Sequence, residues 1–136
     1  MKPEVLLIED NEQNRYLATF LLEKHGYLVV SAADGPAGIE LARTVKPALV
    51  LLDIQLPLMD GYAVARELRN ISALRDTPII AVTSYAMVGD REKSLAAGCN
   101  GYLEKPINPD TFVAEIERFL PQNQQGDQYG ASADSR

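Results

Sequence analysis

The sequence has little with which to cross-link itself or to build a soft-metal site. Cys99 is its only cysteine and His25 its only histidine. A single cysteine excludes an intrachain disulfide and any multi-cysteine metal site. A single histidine removes most zinc sites and any phosphohistidine relay with two members in this chain. Long apolar runs are also missing, and none approaches the length needed to cross a bilayer. The opening Met1-Lys2-Pro3-Glu4 leads into an apolar run too short for a signal-peptide core, without a small-residue cleavage site. A cytoplasmic location is expected. Positive charge is in deficit: 13 Lys and Arg face 19 Asp and Glu, a net charge of −6. Nucleic acid and anionic membranes would repel such a chain, so neither is an expected partner.

What the sequence does contain is a repeated alternation. At 136 residues and 46% hydrophobic content it has room for one domain with one core. Apolar runs occur at Val5 to Ile8, Leu28 to Val30, Ala48 to Leu52, Ile79 to Val82 and Tyr102-Leu103. They are continuous and aliphatic, as in strands buried on both faces. Helical spacing fills the intervals: Leu17, Phe20 and Leu21; then Gly38, Leu41, Ala42 and Val45; then Gly61, Val64, Ala65 and Leu68. The last helix is marked by Phe112, Val113, Ile116, Phe119 and Leu120. The fourth, Met87 to Ala97, is the weakest, because Asp90, Arg91, Glu92 and Lys93 leave it little apolar face. Gly26 and Gly98 suit left-handed helix ends, Asn11 and Asp34 suit N-caps, and Asn108-Pro109 suits a helix start. Strict strand–helix alternation predicts an α/β fold: a flavodoxin-like, doubly wound parallel sheet of five βα units in strand order 2-1-3-4-5. The folded domain is expected over residues 1–120. Residues 121–136, rich in Gln, Gly, Ser, Asn and Asp, read as a disordered tail.

In a parallel sheet all strands end at one edge. Glu9 and Asp10 follow the first strand, Asp53 the third, Thr83 the fourth and Lys105 the fifth, so five polar groups converge. Crowded carboxylates raise one another's pKa unless a cation intervenes. A hard divalent ion with oxygen ligands fits, and magnesium, with manganese as a substitute, fits best. Asp53 could then attack phosphorus to give an acyl phosphate, with Lys105 and the Thr83 hydroxyl on the phosphoryl oxygens. Taken singly, each residue has a plainer role. Asp10 could cap a helix, Asp53 could serve the turn before Pro57, Thr83 could be a strand-end hydroxyl, and Lys105 a solvated charge. The convergence of all five favours the chemical reading. His25 and Cys99 follow helix ends at the opposite edge, the first expected as an exposed helix-terminal residue and the second as a small apolar group.

With these residues in place, the sequence resembles the response-regulator receiver family of two-component signalling, from about Glu4 to Leu120. The matching pieces are Leu7-Ile8-Glu9-Asp10-Asn11, Leu52-Asp53 through Pro57 to Asp60-Gly61, Ala81-Val82-Thr83-Ser84, and Tyr102-Leu103-Glu104-Lys105-Pro106. The resemblance implies that Asp53 is the phosphoacceptor. It also implies that Glu9, Asp10 and Asp53 hold or organise magnesium with the Gln55 backbone carbonyl, and that Thr83 and Lys105 contact the phosphoryl group. It implies a cis Lys105-Pro106 peptide and a switch formed by Thr83 and Tyr102, in which Tyr102 turns inward from solvent. Glu9 replaces a frequent aspartate, and its longer arm suits a water-bridged contact. Gln55 and Tyr85 fall at positions that in the family tune the acyl-phosphate lifetime. The implied partners are a histidine kinase or phosphotransfer protein, and a downstream protein on the face of helix four, strand five and helix five. Such a protein is a phosphoacceptor with autodephosphorylation, similar to single-domain chemotaxis or cell-division regulators, and not a turnover enzyme.

Three other readings compete. A phosphatase of haloacid dehalogenase type shares an Asp nucleophile, Thr, Lys and magnesium, but needs a second Asp where this chain has Gln55. A flavin-binding module shares the fold, but Glu9 and Asp10 would repel its phosphate. A degenerate receiver that is never phosphorylated would not require all five site residues.

Overall fold

A computed structural model of the chain describes residues 2–84 and 88–120. Tyr85, Ala86, Met87 and residues 121–136, including the expected tail, lie outside the described residues. The elements alternate as β1 (Glu4–Ile8), α1 (Glu12–Lys24), β2 (Leu28–Ala32), α2 (Gly35–Val45), β3 (Leu49–Asp53) and α3 (Gly61–Arg69). A single 3₁₀ turn at Ser72–Leu74 precedes β4 (Ile79–Thr83), α4 (Asp90–Ala96), β5 (Gly101–Glu104) and α5 (Phe112–Glu117). All strand pairings are parallel and the order is β2-β1-β3-β4-β5. The doubly wound architecture expected from the alternation is therefore the one observed. No helix among the described residues is long and apolar enough to cross a membrane.

The strand sequences are continuously apolar because each face of the sheet has its own core. Leu6, Ile8, Val50, Leu52, Ile79 and Ala81 point to one side, against Ile39 and Ala42 of α2 and Val64, Ala65 and Leu68 of α3. Val5, Leu7, Leu49, Leu51, Ile80 and Val82 point to the other, against α1 and the α5 residues Phe112, Val113 and Ile116. Each fully buried Leu or Ile contributes roughly 1.5–3 kcal/mol through its removal from water. The central strands β3 and β4 are buried throughout. The edge strands differ from the expectation: β2 buries only Ala32 fully and β5 only Gly101, because each has a neighbour on one side alone.

The helices correct the sequence reading in places. In α1 the buried residues are Ala18, Leu21 and Leu22, whereas Phe20 is 51% exposed. Phe20 stacks on Tyr16 with Lys24 over its ring. The α3 stripe of Gly61, Val64, Ala65 and Leu68 is as expected. Asn11 and Asp34 accept backbone N–H groups as N-caps, and Gly26 and Gly98 adopt positive φ after their helices. The fourth helix starts at Asp90, since Gly89 in front of it holds a left-handed φ of 92°. Its one buried residue is Ser94, so apolar burial anchors it least. Asn108 does begin a turn, accepting from the Asp110 amide through its side chain, but regular helix starts only at Phe112. His25 is half-buried rather than exposed, its ring Nδ1 lying 2.8 Å from the Leu21 carbonyl. Cys99 is buried.

Candidate functional site

The carboxyl ends of β1, β3, β4 and β5 bring the expected residues together. Asp53 is the last residue of β3 and only 3% exposed, while Glu9, directly after β1, is also buried. Between them lies the Lys105 ammonium, 2.7 Å from Glu9 Oε1 and 3.2 Å from Asp53 Oδ2. The Lys105-Pro106 peptide is cis, as expected. The Asn11 amide donates to Glu9 Oε2 at 3.0 Å, and Arg15 Nη1 donates to the Glu9 carbonyl at 2.8 Å. The start of α1 therefore holds Glu9 in place. Asp10 is exposed, yet carboxylate oxygens of Glu9, Asp10 and Asp53 all lie within 4.8 Å of one another.

The loop after β3 is held close by a glycine. The Gly61 amide donates to the Ile54 carbonyl at 2.9 Å, and a Cβ there would stand 2.5 Å from Ile54 Cα and 2.7 Å from the Asp53 carbonyl. Only glycine lets the start of α3 approach the backbone of the site so closely. The Gln55 amide donates to Asp53 Oδ1 at 2.9 Å, which orients the carboxylate. Leu58 in this loop takes a left-handed conformation and is 84% exposed.

Electrostatics follow from this crowding. Burial, then the Glu9 charge, push the Asp53 carboxyl up to about 7, against the opposing pull of Lys105 and the Gln55 amide. Burial works against the Lys105 ammonium, but the hydrogen bond to Glu9 and the charges of Asp53 and Glu9 outweigh it and hold its pKa above the ordinary lysine value. One cation thus serves two buried carboxylates, with a third at the rim. Such a set is short of positive charge, and its all-oxygen donors suit a hard divalent cation.

Thr83 is fully buried at the end of β4, and its hydroxyl accepts a hydrogen bond from Gln55 Nε2 at 2.7 Å. The same side chain receives the Ser84 amide on Oε1 at 3.3 Å. Sequence reasoning gave Gln55 a backbone carbonyl role and a lifetime-tuning position, and missed this side-chain bridge. It also missed Arg15, which nothing in the local pattern distinguishes from a solvated helix residue. Tyr102 departs from the expected solvent-facing start. Its ring packs against the α2–α3 core, and its hydroxyl is out of solvent with no hydrogen-bond partner among the described residues. Desolvation, then the carboxylates of Asp90 and Glu104, raise its pKa. His25 and Cys99 lie at the opposite edge and take no part.

Comparison with known proteins decides the family. Residues 5–117 match the response regulator receiver domain. The chain belongs to that family. It is 40% identical over 120 residues to the polar-differentiation response regulator DivK of Brucella anthropi, an alignment spanning 88% of this chain and 98% of the relative. Among solved structures, the chemotaxis protein CheY4 of Vibrio cholerae superposes with a TM-score of 0.85 at 28% identity, over 88% of this chain and all of the other (100%). The receiver domain of the Pseudomonas aeruginosa sensor histidine kinase PA1611, solved with magnesium coordinated in its active-site cleft, gives a TM-score of 0.80 at 38% identity. That match covers 88% of this chain and 98% of the other. Membership in the receiver family sets aside the phosphatase and flavin-binding alternatives. The chain is a receiver domain of the two-component response-regulator class, a class that works between kinases and downstream proteins.

Proposed function

We propose that this receiver accepts a phosphoryl group on Asp53 from a histidine kinase or phosphotransfer protein, and signals in the cytoplasm through phosphorylation-dependent protein binding. The observation that supports this most is the buried Asp53 carboxylate, paired with Lys105 and within 4.8 Å of further carboxylate oxygens on Glu9 and Asp10. Asp10 and Asp53 would hold magnesium directly with the Gln55 carbonyl. Glu9, whose two oxygens already face Lys105 and the Asn11 amide, would organise it. When bound, magnesium supplies charge neutralisation for the carboxylates and for the phosphoryl oxygens.

The residues of the chain divide the remaining work. A carboxylate oxygen of Asp53 attacks phosphorus; an O–P bond forms, the donor's N–P bond breaks, and its electron pair leaves with the donor imidazole. The attacking group must be ionised, which Lys105 favours. The Gln55 amide holds Asp53 Oδ1, which leaves Oδ2, beside Lys105, as the attacking oxygen. Lys105 and Thr83 then donate to the equatorial phosphoryl oxygens. No substrate is turned over: the protein carries the group until hydrolysis returns Asp53.

Output is assigned to the groove between β5 and α5, bordered by Arg91 of α4 and lined by Tyr102, Glu104, Ile107, Phe112 and Arg118. The net charge of −6 favours a protein partner over nucleic acid. Incubation with acetyl phosphate and magnesium should add one phosphoryl group, which Asp53→Asn abolishes. Labelling that persists in the variant, or in a chelator, contradicts the reading; absence of labelling in the parent would make this a degenerate receiver.

A further inference from the structure

Asp10 is the exposed member of the carboxylate set, yet it brings an oxygen within 4.8 Å of oxygens on buried Glu9 and Asp53. An exposed aspartate ordinarily samples several rotamers. A cation with strict geometry binds better when those choices are narrowed beforehand. The backbone that carries Asp10 is held on both sides. The Glu9 N–H donates to the Ala32 carbonyl at 3.0 Å, and the Asn11 N–H donates to Glu9 Oε2 at 3.0 Å. The Glu9 carbonyl accepts from Arg15 Nη1 at 2.8 Å. That carbonyl and the Asp10 N–H belong to one planar peptide unit, so holding the first sets the direction of the second. Of these three contacts, the Arg15 one alone comes from a side chain outside residues 9–11.

Local helix preference does not explain a cation at this place. Arg15 is the fourth residue of α1, where the positive end of the macrodipole disfavours positive charge. The helix is already capped, because Asn11 Oδ1 accepts from the Asn14 amide at 2.9 Å. Nor does Arg15 serve the phosphoacceptor, since the cation that pulls on Asp53 is Lys105. The half-buried Arg15 instead holds one carbonyl at the base of the site. We infer that Arg15 is a positioning residue for the metal: by clamping the Glu9 carbonyl it preorganises Asp10 as a magnesium ligand. The inference rests on the reading that Glu9, Asp10 and Asp53 hold or organise magnesium. Clamp and bare charge predict opposite signs. A guanidinium acting only through its charge repels a nearby cation, so removing it would tighten binding. Removing a clamp loosens binding instead, and it does so selectively. Magnesium demands near-ideal octahedral geometry, whereas calcium tolerates a displaced ligand.

Calorimetric titration of the full chain with magnesium and, separately, with calcium tests this. Arg15→Met, which keeps an aliphatic stem and loses the donor, should weaken magnesium binding by about tenfold. Calcium binding should weaken by less than about twofold, so the preference for magnesium over calcium falls. Arg15→Lys keeps the charge and one donor group on a shorter arm without the rigid fork, and should lose magnesium affinity by about threefold. Should Arg15→Met fail to fold, Arg15→Lys carries the test by the same loss of preference. Magnesium binding that tightens, or stays within about twofold of the parent, makes Arg15 a charge or a bystander and overturns the inference. Equal weakening of both cations makes it a general prop and overturns the inference too. In each of these cases a parent that binds magnesium leaves the reading of the site intact. A parent that binds none overturns both.

Discussion

The two edges of the sheet are built on opposite plans. At the carboxyl edge, Glu9 and Asp53 share a single ammonium with Asp10 at the rim, and burial, then the Glu9 charge, hold Asp53 at about 7. At the amino edge the strong groups are tied into hydrogen bonds among the described residues. Arg69 donates to the Gly98 carbonyl at 2.9 Å, the Leu74 carbonyl at 2.7 Å and Asn100 Oδ1 at 2.6 Å. Asn100 in turn accepts the Ile79 amide, and Tyr27 donates to the buried Glu117 carboxylate. One edge is satisfied and sets the geometry of α3, α4 and β5; the other is left short of positive charge. A bound cation would relieve that shortage, which makes the unfavourable edge the candidate functional one.

The sharpest break in this comparison is Asp53→Asn without metal. The folded carboxyl titrates at about 7 against 3.8 unfolded, so between these values the native state binds more protons. Stability is therefore full below pH 3.8 and is lost as pH rises through about 7, while Lys105 stays charged across the window. A rise of that size corresponds to at most about 4 kcal/mol. In a chelator at pH 7, Asp53→Asn should melt higher than the parent, and the gain should vanish near pH 4. Magnesium at a hundredfold excess over its dissociation constant should raise the parent by about 2.7 kcal/mol and the variant by far less. Denaturant titrations at the two pH values check both signs.

Removing the shared cation comes next. Lys105→Met leaves Glu9 and Asp53 facing each other, and labelling by acetyl phosphate should slow by about 10²–10³-fold. The matching change at the other edge is Arg69→Met, which removes the guanidinium donor to the Gly98 carbonyl and to Asn100 and leaves the Leu74 carbonyl only the Thr77 amide. It should lower stability by about 2–4 kcal/mol while changing the labelling rate less than about twofold. A large fall in labelling would mean the edges are coupled, not separate. The smallest effect concerns Cys99, whose thiol burial pushes up to about 11 against the opposing charge of Arg69. Iodoacetamide at pH 8 should leave it unmodified in the native protein and modify it once unfolded, as alkylation followed by mass measurement will show.

These contrasts also explain what the sequence could carry. Five of the site residues were legible because a parallel sheet delivers every strand end to one edge, so position in the pattern fixes position in space. The α3 stripe was legible for the same kind of reason. Phe20 was not: helical spacing counts it as core, but small Ala18 faces the sheet instead, and Phe20 is left to stack on Tyr16. The Gln55 bridge was invisible because its partners stand 28 and 29 residues away, on a different strand end, and nothing local selects that rotamer. The same holds for Arg69, whose partners at Gly98 and Asn100 become neighbours only once α4 returns to the sheet.

The central claim is that Asp53 carries an acyl phosphate. Treating the acetyl phosphate-labelled protein with sodium borohydride should reduce that acyl group to the alcohol, converting residue 53 to homoserine, and peptide mass mapping locates it. The account predicts homoserine at position 53 alone, only when magnesium is present, and none in the Asp53→Asn variant. Homoserine at another aspartate, or conversion at residue 53 that proceeds equally without the metal, would contradict it.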